Sequence, residues 1–135
     1  MIYKIVDIQG IGEAYATKLI AAGVATVDQL LEKGKDAKGR KALAEATGIS
    51  EKNILTWVNH ADLFRINGVG PQFSELLEAS GVDTVKELAT RNAENLVAKM
   101  EEVNAQKRLT KVVPSVEQVK KMIEQAKNLP GTLTY

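Results

Sequence analysis

The chain has 135 residues, 44% hydrophobic and 26% charged, which is typical of a globular protein and excludes a disordered or low-complexity chain. It contains no cysteine, so disulfide scaffolds, thiolate zinc sites and cysteine nucleophiles are excluded. The 18 basic and 17 acidic residues give a net charge of +1, so any charge-driven binding must come from local patches.

The apolar runs are much shorter than a membrane span, and residues 1–5 contain no apolar stretch of signal-peptide length. We therefore expect no membrane contact. Together with the lack of cysteine, this favours a cytoplasmic location.

The most informative feature of the sequence is an internal repeat. Residues 8–30 return 58 positions later as residues 66–88, with three glycines, an aromatic residue and a Thr-Val pair in register. In a second block, residues 54–61 match residues 119–126 at an offset of 65. The repeat predicts a single domain over residues 1–135, made of a first unit at 1–65 and a second unit at 66–135.

Each repeat unit is predicted to be helical, because apolar residues recur at spacings of three and four and no stretch alternates like a strand. A tight hairpin at residues 8–12 or 66–70 comes first, and a helix that ends at Gly23 or Gly81 follows it. A short capped helix and a further helix come next. A longer amphipathic helix at 51–63 or 116–128 completes each unit. The fold class is therefore all-α.

Several helix starts carry capping signals. A hydroxyl residue stands three positions before a Glu or Gln at Thr26 with Gln29, at Thr84 with Glu87 and at Ser115 with Gln118. Ser50 and Asn92 are simpler N-cap candidates.

The order of helix, Gly-x-Gly turn and helix resembles the helix-hairpin-helix signature. The residues that carry it are Gly10, Ile11 and Gly12 in the first unit and Gly68, Val69 and Gly70 in the second. The resemblance implies contact with DNA or RNA backbones without base reading. Glycines allow a sharp turn, and the unpaired amides of the next helix, with its dipole, can hold a phosphate oxygen.

The whole chain also resembles an uncharacterised, mostly bacterial family with tandem helix-hairpin-helix units, a domain of unknown function. The resemblance rests on Ile-x-Gly-Ile-Gly at 8–12, Ala-Gly-Val-x-Thr-Val at 22–27, Gly-Arg-Lys at 39–41 and Trp-Val-Asn-x-Ala-Asp-Leu at 57–63. It implies the tandem fold and no particular activity.

Basic residues gather in two places. The first cluster includes Lys38, Arg40 and Lys41. It lies in a glycine-containing segment that is predicted to be a flexible loop. The second consists of Lys107, Arg108 and Lys111, with Lys120 and Lys121 further on. A basic cluster that lies beside a hairpin could bind the same nucleic-acid backbone as that hairpin. The alternative is that neither feature binds a ligand. The basic clusters would then be solvated loops, and the hairpins would be purely structural, with Tyr15 and Phe73 filling the core beneath them.

No catalytic constellation, metal site or cofactor motif is found in the sequence. His60 is the sole histidine, and because Gln125 matches it in the other unit, we expect a surface position. Glu101 and Glu102 are neighbours on a predicted helix and point about 100° apart, which is unsuitable for a carboxylate pair. We therefore predict a non-enzymatic module that binds DNA or RNA backbone, or alternatively another protein or a second copy of itself.

The repeat also suggests how the chain closes. The first hairpin has too few residues ahead of it for a helix equivalent to 51–63. The apolar stripe of residues 116–128 is therefore expected to cover the N-terminal hairpin and close a pseudo-twofold domain, while 51–63 packs beside the second hairpin. The alternative is that this stripe docks on the hairpin of a neighbouring chain, in a swapped dimer or a head-to-tail assembly.

Overall fold

The structure, a computed structural model, describes residues 3–135. Within this range the chain forms a short 3-10 helix at Ile5–Asp7 and eight α-helices, and the only β pairing is an isolated bridge between Lys4 and Thr26. The helices are α1 Glu13–Ala21, α2 Val27–Gly34, α3 Ala37–Thr47, α4 Glu51–Leu63, α5 Pro71–Ala79, α6 Val85–Leu88, α7 Ala93–Lys107 and α8 Val116–Asn128. The all-α prediction is confirmed.

The chain divides into two compact units. The N-terminal unit runs up to Asp62 and includes Thr132–Tyr135, and the C-terminal unit is Leu63–Gly131. The division falls at the last residue of α4, and each unit has its own set of buried apolar residues.

Side-chain caps begin most of the helices. Thr26 and Ser115 form full capping boxes, in which Gln29 Oε1 and Gln118 Oε1 accept from the Thr26 and Ser115 amides at 3.2 and 2.8 Å. Thr84 forms only half of one, because the Glu87 carboxylate pairs with Arg91 at 2.6 Å. The predicted caps at Ser50 and Asn92 are confirmed, since their side chains accept from the Asn53 and Asn95 amides.

The ends of α1 and α5 also lie where the sequence predicts them. Gly23 and Gly81 follow these helices with φ of +89° and +96°. A cation supports each end: Lys33 Nζ donates to the Ala22 carbonyl at 3.2 Å, and Arg91 donates to the Gly81 carbonyl. Positive charge is favourable there because it faces the negative end of the helix dipole.

The core of the C-terminal unit is formed by the apolar faces of α5–α8. Its fully buried members include Leu63, Ile66, Leu76, Leu88, Met100 and Val119. The buried apolar residues of the N-terminal unit come from the 3-10 helix, the glycine turn and α1–α4, and include Ile5, Ile8, Leu19, Leu30, Ile54 and Val58.

The expectation that α8 covers the N-terminal hairpin is wrong. α8 packs with α6 and α7 in the C-terminal unit, and there the Gln125 side chain accepts a hydrogen bond from the Asn67 amide at 2.9 Å. Next to the N-terminal hairpin lies Trp57 of α4, whose indole nitrogen would be 3.4 Å from a Cβ built on Gly10. The two long helices carry similar apolar stripes, so periodicity alone did not decide which turn each one covers.

Two side chains lie in environments that the sequence did not predict. The alternative of purely structural hairpins puts Tyr15 in the core, but Tyr15 remains 37% exposed, because its ring packs on the buried Trp57 from outside, with ring centroids 5.2 Å apart. His60 was expected on the surface but is only 3% exposed, because almost every residue in the last two turns of α4 is buried. Phe73 is half-buried against the C-terminal core.

Candidate nucleic-acid interface

The candidate interface begins with two glycine turns, residues 8–12 and 66–70, which share a backbone pattern. The Ile11 amide donates to the Ile8 carbonyl and the Val69 amide to the Ile66 carbonyl, both at 3.1 Å. Gly10 and Gly68 have φ of +93° and +90°, a region that side chains disfavour. Ile11 and Val69 are buried. These two therefore anchor the turns, and the backbone at Gly10 and Gly68 stays exposed to a ligand.

The helices that follow the turns start without a side-chain cap, because Gly12 and Gly70 are their N-cap residues. In the described part of the chain, the amides of residues 13–15 and of residues 72 and 73 have no acceptor. Pro71 has no amide to offer. The first turn of α1 carries the carboxylate of Glu13, whereas the first turn of α5 carries none. An anion therefore meets less repulsion at α5.

The structure brings the second basic cluster to this helix start. A surface groove is lined by Gln72, from the first turn of α5, and by residues around the end of α7: Asn104, Arg108, Leu109, Thr110 and Lys111. Two cationic side chains therefore share one groove with a residue of the first turn of α5. Lys107 lies one residue before Arg108, exposed in the last turn of α7.

The Asn104 side chain holds this cluster in place. Its Nδ2 donates to the Thr110 carbonyl at 2.9 Å, and its Oδ1 accepts from the Thr110 amide at 3.0 Å. These two hydrogen bonds fix the short segment between Arg108 and Lys111 against α7. The loop that carries both cations is therefore ordered before any ligand arrives, which lowers the entropy cost of binding.

A second groove lies at the glycine turn of residues 66–70. It is lined by Asn67 and Gly68 of the turn and by Gln118, Lys121, Met122 and Gln125 of α8. Lys121 therefore adds a third cation near residues 66–70. Across the described residues, Arg108, Lys111 and Lys121 have no acidic partner within 4 Å, whereas Lys120 pairs with Glu94 at 3.5 Å.

Comparison with known proteins gives a family and no activity. The model of the family called Domain of unknown function (DUF4332) matches residues 9–129, most of the chain. The chain belongs to the DUF4332 family. Neither a curated protein nor a solved structure matches it significantly.

The first basic cluster of this DUF4332 chain has a different environment from the second. The predicted flexible loop is instead α2 and α3 joined by a short turn, and the Asp36 carboxylate caps α3 by accepting from the Gly39 amide at 2.7 Å. Lys38 and Lys41 are exposed on α3, while Lys33 supports the C-terminal end of α1. The cluster therefore has no contact that places it at the first glycine turn.

Arg40 lies inside the N-terminal unit of the DUF4332 chain. Its side chain donates from Nη1 to the Gly34 carbonyl at 2.8 Å and from Nη2 to the Thr134 carbonyl at 2.6 Å. Its guanidinium carbon lies 5.7 Å from the ring centroid of Tyr135, and the residue is 6% exposed. Arg40 therefore holds residues 134 and 135 in place and is not available at the surface for phosphate.

Sequence reasoning missed several residues of the candidate interface, among them Gln72 and Asn104. Gln72 lies one residue after the proline of α5, and Asn104 is a polar residue inside a helix. Lys121 was named only as a lysine further along the chain from the second basic cluster. Sequence offered a signal for Gln72 alone, as the first residue after the turn with a backbone amide to donate.

In residues 3–135, no helix is long and apolar enough to cross a membrane.

Proposed function

We propose that this chain is a non-enzymatic tandem helix-hairpin-helix protein that binds the phosphate backbone of DNA or RNA without reading sequence. One observation carries the proposal: Arg108 and Lys111 line the same groove as the uncapped first turn of α5. Backbone amides, a helix dipole and mobile cations are the groups that proteins use to hold phosphate oxygens.

The helix-hairpin-helix assignment is supported by the two glycine turns. Each has a positive-φ glycine, a buried aliphatic residue after it and a second glycine that begins a nine-residue helix. The corresponding residues lie 58 positions apart. We assign the main contact to the C-terminal unit, since the N-terminal turn is followed by Glu13 and has no cationic cluster placed beside it.

We expect no recognition of base sequence, because of the side chains that line the two grooves. No aromatic ring lines either one to stack on bases, and the cations are few. Contacts to phosphates alone carry no sequence information. Affinity is therefore expected in the non-specific range, about 0.1 mM to 1 µM at physiological salt.

The test is fluorescence anisotropy with labelled duplex DNA, single-stranded DNA and RNA, each in two unrelated sequences, over a range of salt from 50 mM. Binding should be equal for the two sequences and should weaken linearly on a log–log plot against salt. In the double variant Arg108→Gln with Lys111→Gln, the slope should fall by about 2, since each lost phosphate contact on duplex DNA removes close to one unit.

The control is the double variant Lys38→Gln with Lys41→Gln, which removes the same charge from exposed positions of α3. It should bind nearly as well as the parent chain. Equal losses in the two double variants would show a diffuse charge effect and overturn the assignment to α5.

The second candidate is a protein-interaction or self-assembly module. Val6 and Ile20 of the N-terminal unit, with 45% and 54% exposure, are apolar side chains that a partner could cover. Anisotropy that stays flat with every nucleic acid at 50 mM salt would favour this candidate, and light scattering would then show whether the partner is a second copy of the chain.

A further inference from the structure

A separate polar pocket lies in the C-terminal unit. It has a volume of about 190 Å³ and lies between the C-terminal end of α5 and the N-terminal end of α7. The residues that line it are Ser80, Thr90, Arg91, Asn92, Asn95, Leu96 and Lys99. Two of these are cations and none is acidic.

The Ser80 hydroxyl is the unusual group in this pocket. Ser80 is only 4% exposed, and its Oγ is buried without a hydrogen-bond partner in the described part of the protein. Buried hydroxyls are almost always paired, and those left unpaired call for an explanation such as a ligand. In the sequence repeat the matching residue of the first unit is Ala22, so the hydroxyl is not required to end the helix.

The electrostatics of the pocket favour an anion. α7 has 15 residues, and its N-terminus, with Asn92 as N-cap, opens at the pocket. Asn92 Oδ1 accepts from the Asn95 amide at 3.0 Å, which leaves the earlier amides of Ala93 and Glu94 without a helical partner. The positive end of the helix dipole therefore faces the pocket that Ser80 lines.

The two cations of the pocket are only partly neutralised. Arg91 pairs with Glu87 at 2.6 Å, while the Lys99 ammonium lies 3.9 Å from the Glu102 carboxylate, with both side chains more than half exposed. Glu94, in the first turn of α7, is drawn toward Lys120 at 3.5 Å. Lys99 is thus free to turn toward an anion.

We propose that this pocket is a binding site for a phosphate group. The α7 amides, the Ser80 hydroxyl, the Lys99 ammonium and the carboxamide groups of Asn92 and Asn95 are its donors. The phosphate can belong to free phosphate or to the phosphorylated end of a nucleic acid, because the donors recognise the same oxygens in both. The site does not depend on the glycine turn or on the function proposed above.

The test is an NMR titration of the ¹⁵N-labelled full chain with inorganic phosphate at constant ionic strength. The amides of Ala93 and Glu94 should shift and saturate together. Ser80→Ala should weaken the binding about tenfold, as expected for one hydrogen bond to a charged group. The urea midpoint of this variant should not fall, because the hydroxyl makes no hydrogen bond in the described part of the folded chain.

Lys99→Gln should weaken phosphate binding, whereas Lys127→Gln, a lysine on α8 outside the pocket, should not. Shifts that spread evenly over exposed lysines, or unchanged binding in Ser80→Ala, would show an adventitious ion only and overturn the proposal. The same titration with a 5′-phosphorylated oligonucleotide and its 5′-hydroxyl counterpart identifies the source. A phosphate-dependent shift at Ala93 assigns the site to nucleic-acid ends, and a shift with inorganic phosphate alone assigns it to a small anion.

Discussion

Arg108 is the one non-glycine residue with positive φ among residues 3–135, with φ of 51° and ψ of 49°. It follows the last residue of α7, and its amide donates to the Asn104 carbonyl at 2.8 Å. Glycine is the usual residue in this left-handed cap, because a Cβ there is crowded. The backbone is therefore less stable with arginine than with glycine, while the side chain faces the groove beside α5.

Arg108→Gly is predicted to change stability and binding in opposite directions. Removing the Cβ should raise the free energy of unfolding by about 1 kcal/mol, measured by urea denaturation. Removing the guanidinium should weaken nucleic-acid binding at low salt, measured by anisotropy. A variant that is more stable and binds nucleic acid as tightly as the parent chain would show that Arg108 is only a helix cap.

Gly39 is a second residue whose environment decides its identity. A Cβ at this position would overlap the backbone carbonyl oxygen of Lys33, and a backbone atom cannot move aside as a flexible side chain can. Gly131, whose φ is not positive, has open space where its Cβ would be. The close approach of α2 and α3 therefore depends on Gly39.

Gly39→Ala should lower the free energy of unfolding by about 1–3 kcal/mol, the usual cost of overpacking, even though alanine is the better helix former. Gly131→Ala, the matched control, should change it by less than about 0.5 kcal/mol. Equal urea midpoints for the two variants would contradict the packing of α2 on α3.

At the scale of elements, α8 was assigned to the wrong hairpin by periodicity. Its apolar stripe contributes Val119, Ile123 and Ala126 to the core of the C-terminal unit. Met122, half-buried in the same unit, has its methyl carbon 3.4 Å from the position of a Cβ on Gly68. α8 thus packs on the glycine turn of its own unit and carries Lys121 to it.

Ile123→Ala should therefore destabilise the C-terminal unit by about 2–5 kcal/mol, the cost of a large-to-small change in a core. Hydrogen exchange should show lost protection in α7 and in residues 66–70. The control is Ile20→Ala, since Ile20 is 54% exposed on α1 and its truncation should cost less than about 0.5 kcal/mol. Unchanged protection of α7 in Ile123→Ala would contradict this packing.

For the whole molecule, the C-terminal end of the described chain belongs to the N-terminal unit. The Thr134 amide donates to the Lys35 carbonyl at 2.8 Å, and the buried Arg40 binds the Thr134 carbonyl. These contacts join residues about 94 positions apart in the chain. One guanidinium thus satisfies carbonyl groups from two distant segments.

Arg40→Met is predicted to lower the free energy of unfolding by about 1–3 kcal/mol, because it leaves the Gly34 and Thr134 carbonyls without their donor while keeping the apolar stem. Lys41→Met, at an exposed neighbouring position, is the control and should have little effect. If Arg40→Met is as stable as Lys41→Met in thermal unfolding, the guanidinium does not hold the chain end.

The sequence by itself determined the local structure of this protein. Capping residues such as Thr26 and Ser115, and glycines such as Gly23 and Gly81, place helix starts and stops through interactions within a few residues. The bounds of α4 and α8 follow from their caps and apolar spacing. The all-α class and the position of both glycine turns were therefore readable without any tertiary information.

Tertiary structure decided what depends on distant partners. It placed Trp57 rather than α8 beside Gly10, buried Arg40, and brought Arg108 and Lys111 to the start of α5. Neither apolar stripes nor charge runs encode these pairings, because one stripe fits several surfaces and a cation is equally soluble on any exposed face. Only the packing of the whole chain distinguishes a basic cluster beside an exposed helix end from one on a solvated helix.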